Sequence, residues 1–286
     1  MRNVQRLRPR RSVARRASRR GVQPTDPANR ITYRPSEPQI PRDNHPNPLV
    51  SVIIPAMNEA GKIGAVIAEA RAVHPETEVI VVANGCKDQT ASVAERMGAK
   101  VLSFAEPLGN DVGRSVGAQA AKGRILLFTD SDMVIPSGEL RPFVQAVLSG
   151  VDVALNDYTG PVDRSPVHRV ILAKYTLNSI LGRSDLRGAS MTAVPHALSR
   201  RALDVMGARE LSIPPKAQAA AMSRGLRVEA VYRVEVGRLN PGRTTGGDPL
   251  EMLVLGDHLE ALEAVIAERG VRGGYHDGGR RRSLVR

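Results

Sequence analysis

The sequence predicts an α/β domain: a mostly parallel central sheet with helices on both faces. Three observations carry this. Apolar runs of strand length recur without polar alternation, as strands buried on both sides require. Segments with apolar residues at helical spacing separate them. Polar clusters follow the first, second and fourth runs, where parallel sheets bind ligands at the carboxyl ends of their strands.

The elements follow in order. "LVSVIIPA" (49–56) is the first strand, and Ile63, Val66, Ile67 and Ala70 mark a helix after it. "EVIVVA" (78–83) is the second strand, and "KDQTASVAERMG" is a helix that Gly98 closes. "KVLSF" is a shorter third strand, and a helix from about Asp111 to Lys122 ends at Gly123. "RILLFT" is the fourth strand, with Ser137 as N-cap of the helix "GELRPFVQAVLSG", and "VDVAL" is the fifth. Further on, "VHRVILAKYTLNSIL" reads as a helix, "ASMTAV" as a short strand and "PHALSRRAL" as a helix. Pro214 and Pro215 open a helix, "LRVEAVYRVEVGR" alternates like a strand, and "DPLEMLVLGDHLEALEAVIAERG" is a long closing helix.

Charge is concentrated at one end. Residues 1–48 hold 12 of the 41 Lys and Arg against three acids, Asp26, Glu37 and Asp43, a net charge of +9. The remaining 29 basic and 26 acidic residues give only +3, so no nucleic-acid partner is expected for the body. Self-repulsion and a run of prolines predict a disordered tail over 1–48. Such a tail suits a solvated extension, a contact with anionic lipid or nucleic acid, or a transit peptide. The single cysteine, Cys86, excludes an intrachain disulfide and fits a reducing compartment. No apolar run approaches the ~18 residues of a membrane span, so the expected setting is cytoplasmic, with peripheral contact at the inner face of the membrane through the tail.

The cluster after the fourth strand is "DSD". Asp130 and Asp132, two residues apart on extended backbone, face one side and suit a hard cation such as Mg²⁺ or Mn²⁺. A solvated turn capping the next helix explains the pair equally simply when it is taken alone.

Three motifs in order make a larger pattern. "VSVIIPAMNEAGKIGAVI", "VIVVANGCKDQTASVA" and "GRSVGAQAAKGRILLFTDSDMVIP", spread over 49–157, resemble the donor half of family 2 glycosyltransferases with the GT-A fold. The resemblance implies a GT-A domain over 49–286, with a donor-nucleotide half at 49–157 and an acceptor half at 158–286. It implies a nucleoside-diphosphate sugar lined by Pro55, Ala56 and Glu59, with Asn84 at the base edge, Arg114 near the nucleotide, Asp130 on ribose or metal and Asp132 on the metal. It implies metal-dependent transfer with inversion to an unidentified acceptor, anionic or lipid-linked.

Two positions depart from the family pattern. Ala83 stands where the second motif usually begins with Asp, removing the carboxylate expected to face a uracil ring. Pro214, Pro215 and Lys216 stand where an acidic motif usually supplies the base. Glu210 and Asp185 are the nearest replacement bases, and His258 on the closing helix is a candidate third metal ligand. Lys216 and the arginines from 183 to 209 would attract an acceptor that is already ionised. A non-catalytic sugar-nucleotide scaffold and a nucleotidyltransferase are the alternative readings. The latter lacks a Gly-rich loop after the first strand.

Overall fold

A computed structural model describes residues 43–163, 165–239 and 250–284. The tail expected over 1–48 falls outside the described residues up to 42. Residues 43–48 belong to the body instead, because Asn44 brackets Val79, accepting from its N–H (2.8 Å) and donating to its carbonyl (3.1 Å).

The first half follows the expected order. It runs β1 (Val50–Ala56), α1 (Ile63–Arg71), β2 (Thr77–Asn84), α2 (Thr90–Arg96), β3 (Lys100–Phe104) and α3 (Val112–Ala120). β4 (Ile125–Phe128), α4 (Ser137–Leu148) and β5 (Val153–Asn156) complete it. The second half holds α5 (Arg169–Ile180), β6 (His196–Ser199), α6 (Arg200–Met206), α7 (Pro214–Ser223), β7 (Val228–Tyr232), α8 (Val236–Leu239) and α9 (Glu251–Arg269).

All seven strands form one sheet in the order β3-β2-β1-β4-β6-β5-β7, so the two halves share it. β6 alone runs antiparallel to its neighbours; every other pairing is parallel. The largely apolar character of β1, broken only by Ser51, has a direct cause. Val50, Val52 and Ile54 pack against α1 and α4 on one face, while Ile53 packs on the other with Ala118 of α3 and Ala202 of α6. Each such side chain, fully buried, contributes about 1.5–3 kcal/mol. α3 lies close to the sheet because Gly117 carries no side chain: a Cβ there would overlap Ile53.

Three local expectations are corrected. Ser137 is not an N-cap; it is the first residue of α4, and its N–H is taken by Glu69 Oε2 at 2.7 Å. "ASMTAV" forms turns, and the strand is His196–Ser199, inside the stretch expected as a helix. Pairing overrides helical spacing there: Ala197 and Leu198 face opposite sides between β4 and β5, and His196 stacks on Phe128. The alternation of "LRVEAVYRVEVGR" holds only to Tyr232, after which the chain turns into α8. Ile171 and Leu177 of α5 and Leu181 just after it are buried, so core packing accounts for these apolar positions.

Candidate active site

A cleft of about 540 Å³ opens at the carboxyl ends of β1, β2 and β4. Its walls include Pro55, Ala56, Glu59, Asn84, Arg114, Asp130 and Asp132, all the donor-site residues expected from the sequence. Parallel pairing of β1 with β2 and β4 brings the three polar turns together, as chain order alone cannot.

The turns after β1 and β2 are locked by side chains. Asn58, in the left-handed conformation at φ 58°, accepts from Lys87 N–H (2.8 Å). Asp88 accepts from Ala60 N–H (3.0 Å) and Thr90 N–H (2.9 Å), and Thr90 Oγ1 accepts from Glu59 N–H (2.7 Å). These residues position the cleft without lining it. Their signal was in the "NE" and "KDQT" stretches as an Asx turn, but its partners lie about thirty residues away. The hydrogen bond from Thr90 is the chief reason the Asp88 carboxyl lies below its usual range.

Asn84 lines the cleft but is committed to its wall. Its Oδ1 accepts from Leu108 N–H and its Nδ2 donates to Gly109 O (3.2 Å), fixing the loop after β3. One Nδ2 hydrogen and one Oδ1 lone pair are left over from these two bonds for the expected base-edge contact. Gly85, at φ +67°, lets Pro107 close against the strand end; a Cβ would come within 2.7 Å of that ring.

The floor of the cleft is ionic. Arg114 is 7% exposed and contacts Asp111 (2.7 Å), Asp130 (3.2 Å) and the carbonyl of Met191 (3.4 Å). Burial works against its charge, but Asp130 and Asp111 more than offset this and hold the guanidinium above its usual range. Burial raises the Asp111 carboxyl, with Arg114 pulling the other way. Behind this floor, burial and then Arg114 push Lys174 of α5 down to about 8, and burial and then Asp111 push Asp257 of α9 up to about 6. Glu59 is raised chiefly by burial; Lys62 lowers it, and Asp132 and Asp88 raise it. Lys62 donates to the Asp132 carbonyl at 2.7 Å, tying α1's approach to the "DSD" turn.

The remaining candidates lie elsewhere. Asp185 is chelated by Arg183 (2.9 and 2.8 Å), whose hydrogen bonds lower its proton affinity, and Glu210 pairs with Lys216 (3.3 Å). Neither lines the cleft. His258 is buried, donates from Nδ1 to Val254 O (2.6 Å), and is lowered chiefly by burial. Among the described residues no three His, Cys, Asp or Glu side chains gather as a metal site, so His258 does not join the aspartate pair.

The family model of glycosyl transferase family 2 matches residues 51–204, more than half of the chain. The chain belongs to that family. A dolichyl-phosphate hexose transferase of Haloferax volcanii is 29% identical over 108 residues, 38% of this chain and 47% of that protein. A 4,4'-diaponeurosporenoate glycosyltransferase of Staphylococcus haemolyticus is 28% identical over 153 residues, 49% of this chain and 40% of that protein. The chain thus spans less than half the length of these relatives. Among solved structures, glucosyl-3-phosphoglycerate synthase from Mycobacterium tuberculosis with Mn²⁺, uridine diphosphate and glucosyl-3-phosphoglycerate superposes with a TM-score of 0.54 at 22% identity, over 81% of this chain and 82% of that one. Mannosyl-3-phosphoglycerate synthase from Rubrobacter xylanophilus gives 0.55 at 17% identity, over 83% and 80%. These likenesses establish the GT-A fold for this family 2 member.

Proposed function

We propose that the chain transfers a sugar from a nucleoside-diphosphate donor to an acceptor hydroxyl, with inversion and with a divalent cation. The observation that carries this reading is the convergence of Asp130 and Asp132 with Pro55, Ala56, Glu59 and Arg114 on one cleft. The aspartates fit Mg²⁺ or Mn²⁺, which need few protein oxygens when waters and phosphate oxygens complete the shell. Arg114 already holds one oxygen of Asp130, leaving that carboxylate's other oxygen for a ligand. The cation, when bound, supplies charge stabilisation for the departing diphosphate. The chain's own residues orient the donor: Asn84 and the clamps around Asp88 fix the walls, and Arg114 fixes Asp130. The solved neighbours bound with uridine diphosphate and Mn²⁺ or Mg²⁺ support a nucleotide donor, and those bound with phosphoglyceric acid support an anionic acceptor. Ala83 leaves the nucleotide base open.

Thermal-shift titration of nucleoside diphosphates and their sugars, with and without Mn²⁺, tests the donor, because a ligand of the native state raises its apparent stability. We expect at least one diphosphate to stabilise the chain only with the metal present. Asp132→Ala should remove that shift and lower turnover of the matching labelled donor by about 10²–10³. A shift with no turnover under any acceptor would favour the scaffold reading instead. Its support is the absence of an acid at Pro214–Lys216, where Lys216 is paired with Glu210.

No helix among the described residues is long and apolar enough to cross a membrane. Peripheral contact at an inner membrane face is supported by the tail's net charge of +9. Flotation with anionic vesicles, lost on deleting residues 1–42, would establish it.

A further inference from the structure

A second cavity, of about 530 Å³, opens between the segment after β5 and the segment after β7. Because β6 is antiparallel to both β4 and β5, strands β5 and β7 run in the same direction as β1 and β4. The cavity therefore lies on the same sheet edge as the aspartate pair. Only β6 separates β4 from β5, so the ends of these strands lie about 10 Å apart, a gap of the order of one sugar residue with its bonded neighbours.

The walls are set by the sheet. Asn156, fully buried, donates to Val194 O (2.9 Å) and Val234 O (3.1 Å) and accepts from Val234 N–H (2.9 Å). One amide thus ties the 233–238 wall to the end of β5. Gly237 lies against the Tyr158 hydroxyl, which a Cβ would approach to 2.5 Å. The two walls meet there.

The charges on these walls are not all used. Arg233 and Glu235 pair with each other at 2.5 Å. The side chains of Arg238 on one wall and Asp163 on the other have no hydrogen-bond or ion-pair partner among the described residues; Arg238 bonds only through its backbone N–H, to Glu235 O at 2.9 Å. A guanidinium offers a planar fork to a carboxylate or phosphate, and a carboxylate accepts from hydroxyl groups. The volume is that of a small-molecule site, and the lining offers no apolar track for a lipid chain.

We propose that this cavity is the acceptor subsite, and that the acceptor is a small soluble hydroxylated molecule whose carboxylate or phosphate is gripped by Arg238. The proposal rests on the transferase reading of the donor cleft. It places the anionic-acceptor expectation on Arg238 rather than on Lys216, which is engaged by Glu210, and the arginines from 183 to 209.

Glycerol 3-phosphate and glycerol serve as matched probes, read by calorimetric titration. Glycerol 3-phosphate should bind the full chain and glycerol should not. Arg238→Ala should weaken that binding about tenfold or more, and Arg238→Lys should weaken it less. Asp132→Ala should leave it intact while losing diphosphate–Mn²⁺ binding. Equal binding of glycerol 3-phosphate to wild type and Arg238→Ala overturns the proposal, as does loss of diphosphate binding in Arg238→Ala, which would place the cavity in the donor site. Competition by phosphatidylglycerol vesicles without competition by glycerol 3-phosphate overturns the small-molecule assignment. If the wild type binds no diphosphate, the donor reading fails while the anion result still reports on Arg238.

Discussion

The loops at the carboxyl ends of β1 and β2 and the charged surface of the second half use polar side chains in opposite ways. In the first, Asn58, Asn84, Asp88 and Thr90 bond backbone groups of other turns, so each one fixes chain. In the second, Asp185 with Arg183, Glu210 with Lys216 and Arg227 with Glu229 neutralise one another at the surface. Side chain to backbone bonds specify a shape that a ligand can use. Surface ion pairs specify little, since each is worth about 0–1 kcal/mol.

Four experiments break or sharpen this contrast. Arg114→Ala should have the largest effect, about 3–5 kcal/mol of lost stability in chemical denaturation, because it strands Asp111 beneath the cleft without its counter-charge. Asn84→Ala should cost about 1–2 kcal/mol and weaken diphosphate binding, since the backbone of Leu108 and Gly109 loses its partners. A stability profile against pH should carry the signature of His196, which burial and then Arg114 hold down at about 3. Below its ordinary value of 6.5 the unfolded chain takes up a proton that the folded chain refuses until near 3, so stability falls as pH drops through that window. His196→Phe should flatten the profile there. Asp185→Asn should do least, changing stability by under about 1 kcal/mol and leaving turnover unchanged. A large loss of turnover in that variant would return Asp185 to the list of bases and erase the contrast.

Legibility followed the same line. β1, β2 and β4 were readable because strands buried on both faces are dominated by apolar residues, the buried Ser51 of β1 and Glu78 of β2 satisfying each other by a hydrogen bond. The cleft residues were readable because their motifs sit at strand ends, and parallel pairing collects strand ends by necessity. β6 was not: "PHALSRRAL" has helical spacing, and only the vacancy between β4 and β5 makes its first part a strand. Arg114 reads in isolation as a solvated helix residue, yet it is the buried centre of the ionic floor. Nor does any local pattern mark Asp111, Lys174 and Asp257, whose shared environment joins three distant helical segments.

By itself the sequence determined the order of strands and helices in the first half, the parallel sheet and the chemical types gathered at its edge. Those follow from periodicity and from residue chemistry, both of which are local. Only the tertiary structure decided which charges are spent on each other and which face a cavity. It set Glu210 and Asp185 apart from the cleft, sank Arg114 beneath it and left Arg238 open beside Tyr158. Even where a pair is local, as Arg183 with Asp185 and Arg114 with Asp111 are, its burial and its place relative to the cleft depend on groups far apart in the chain.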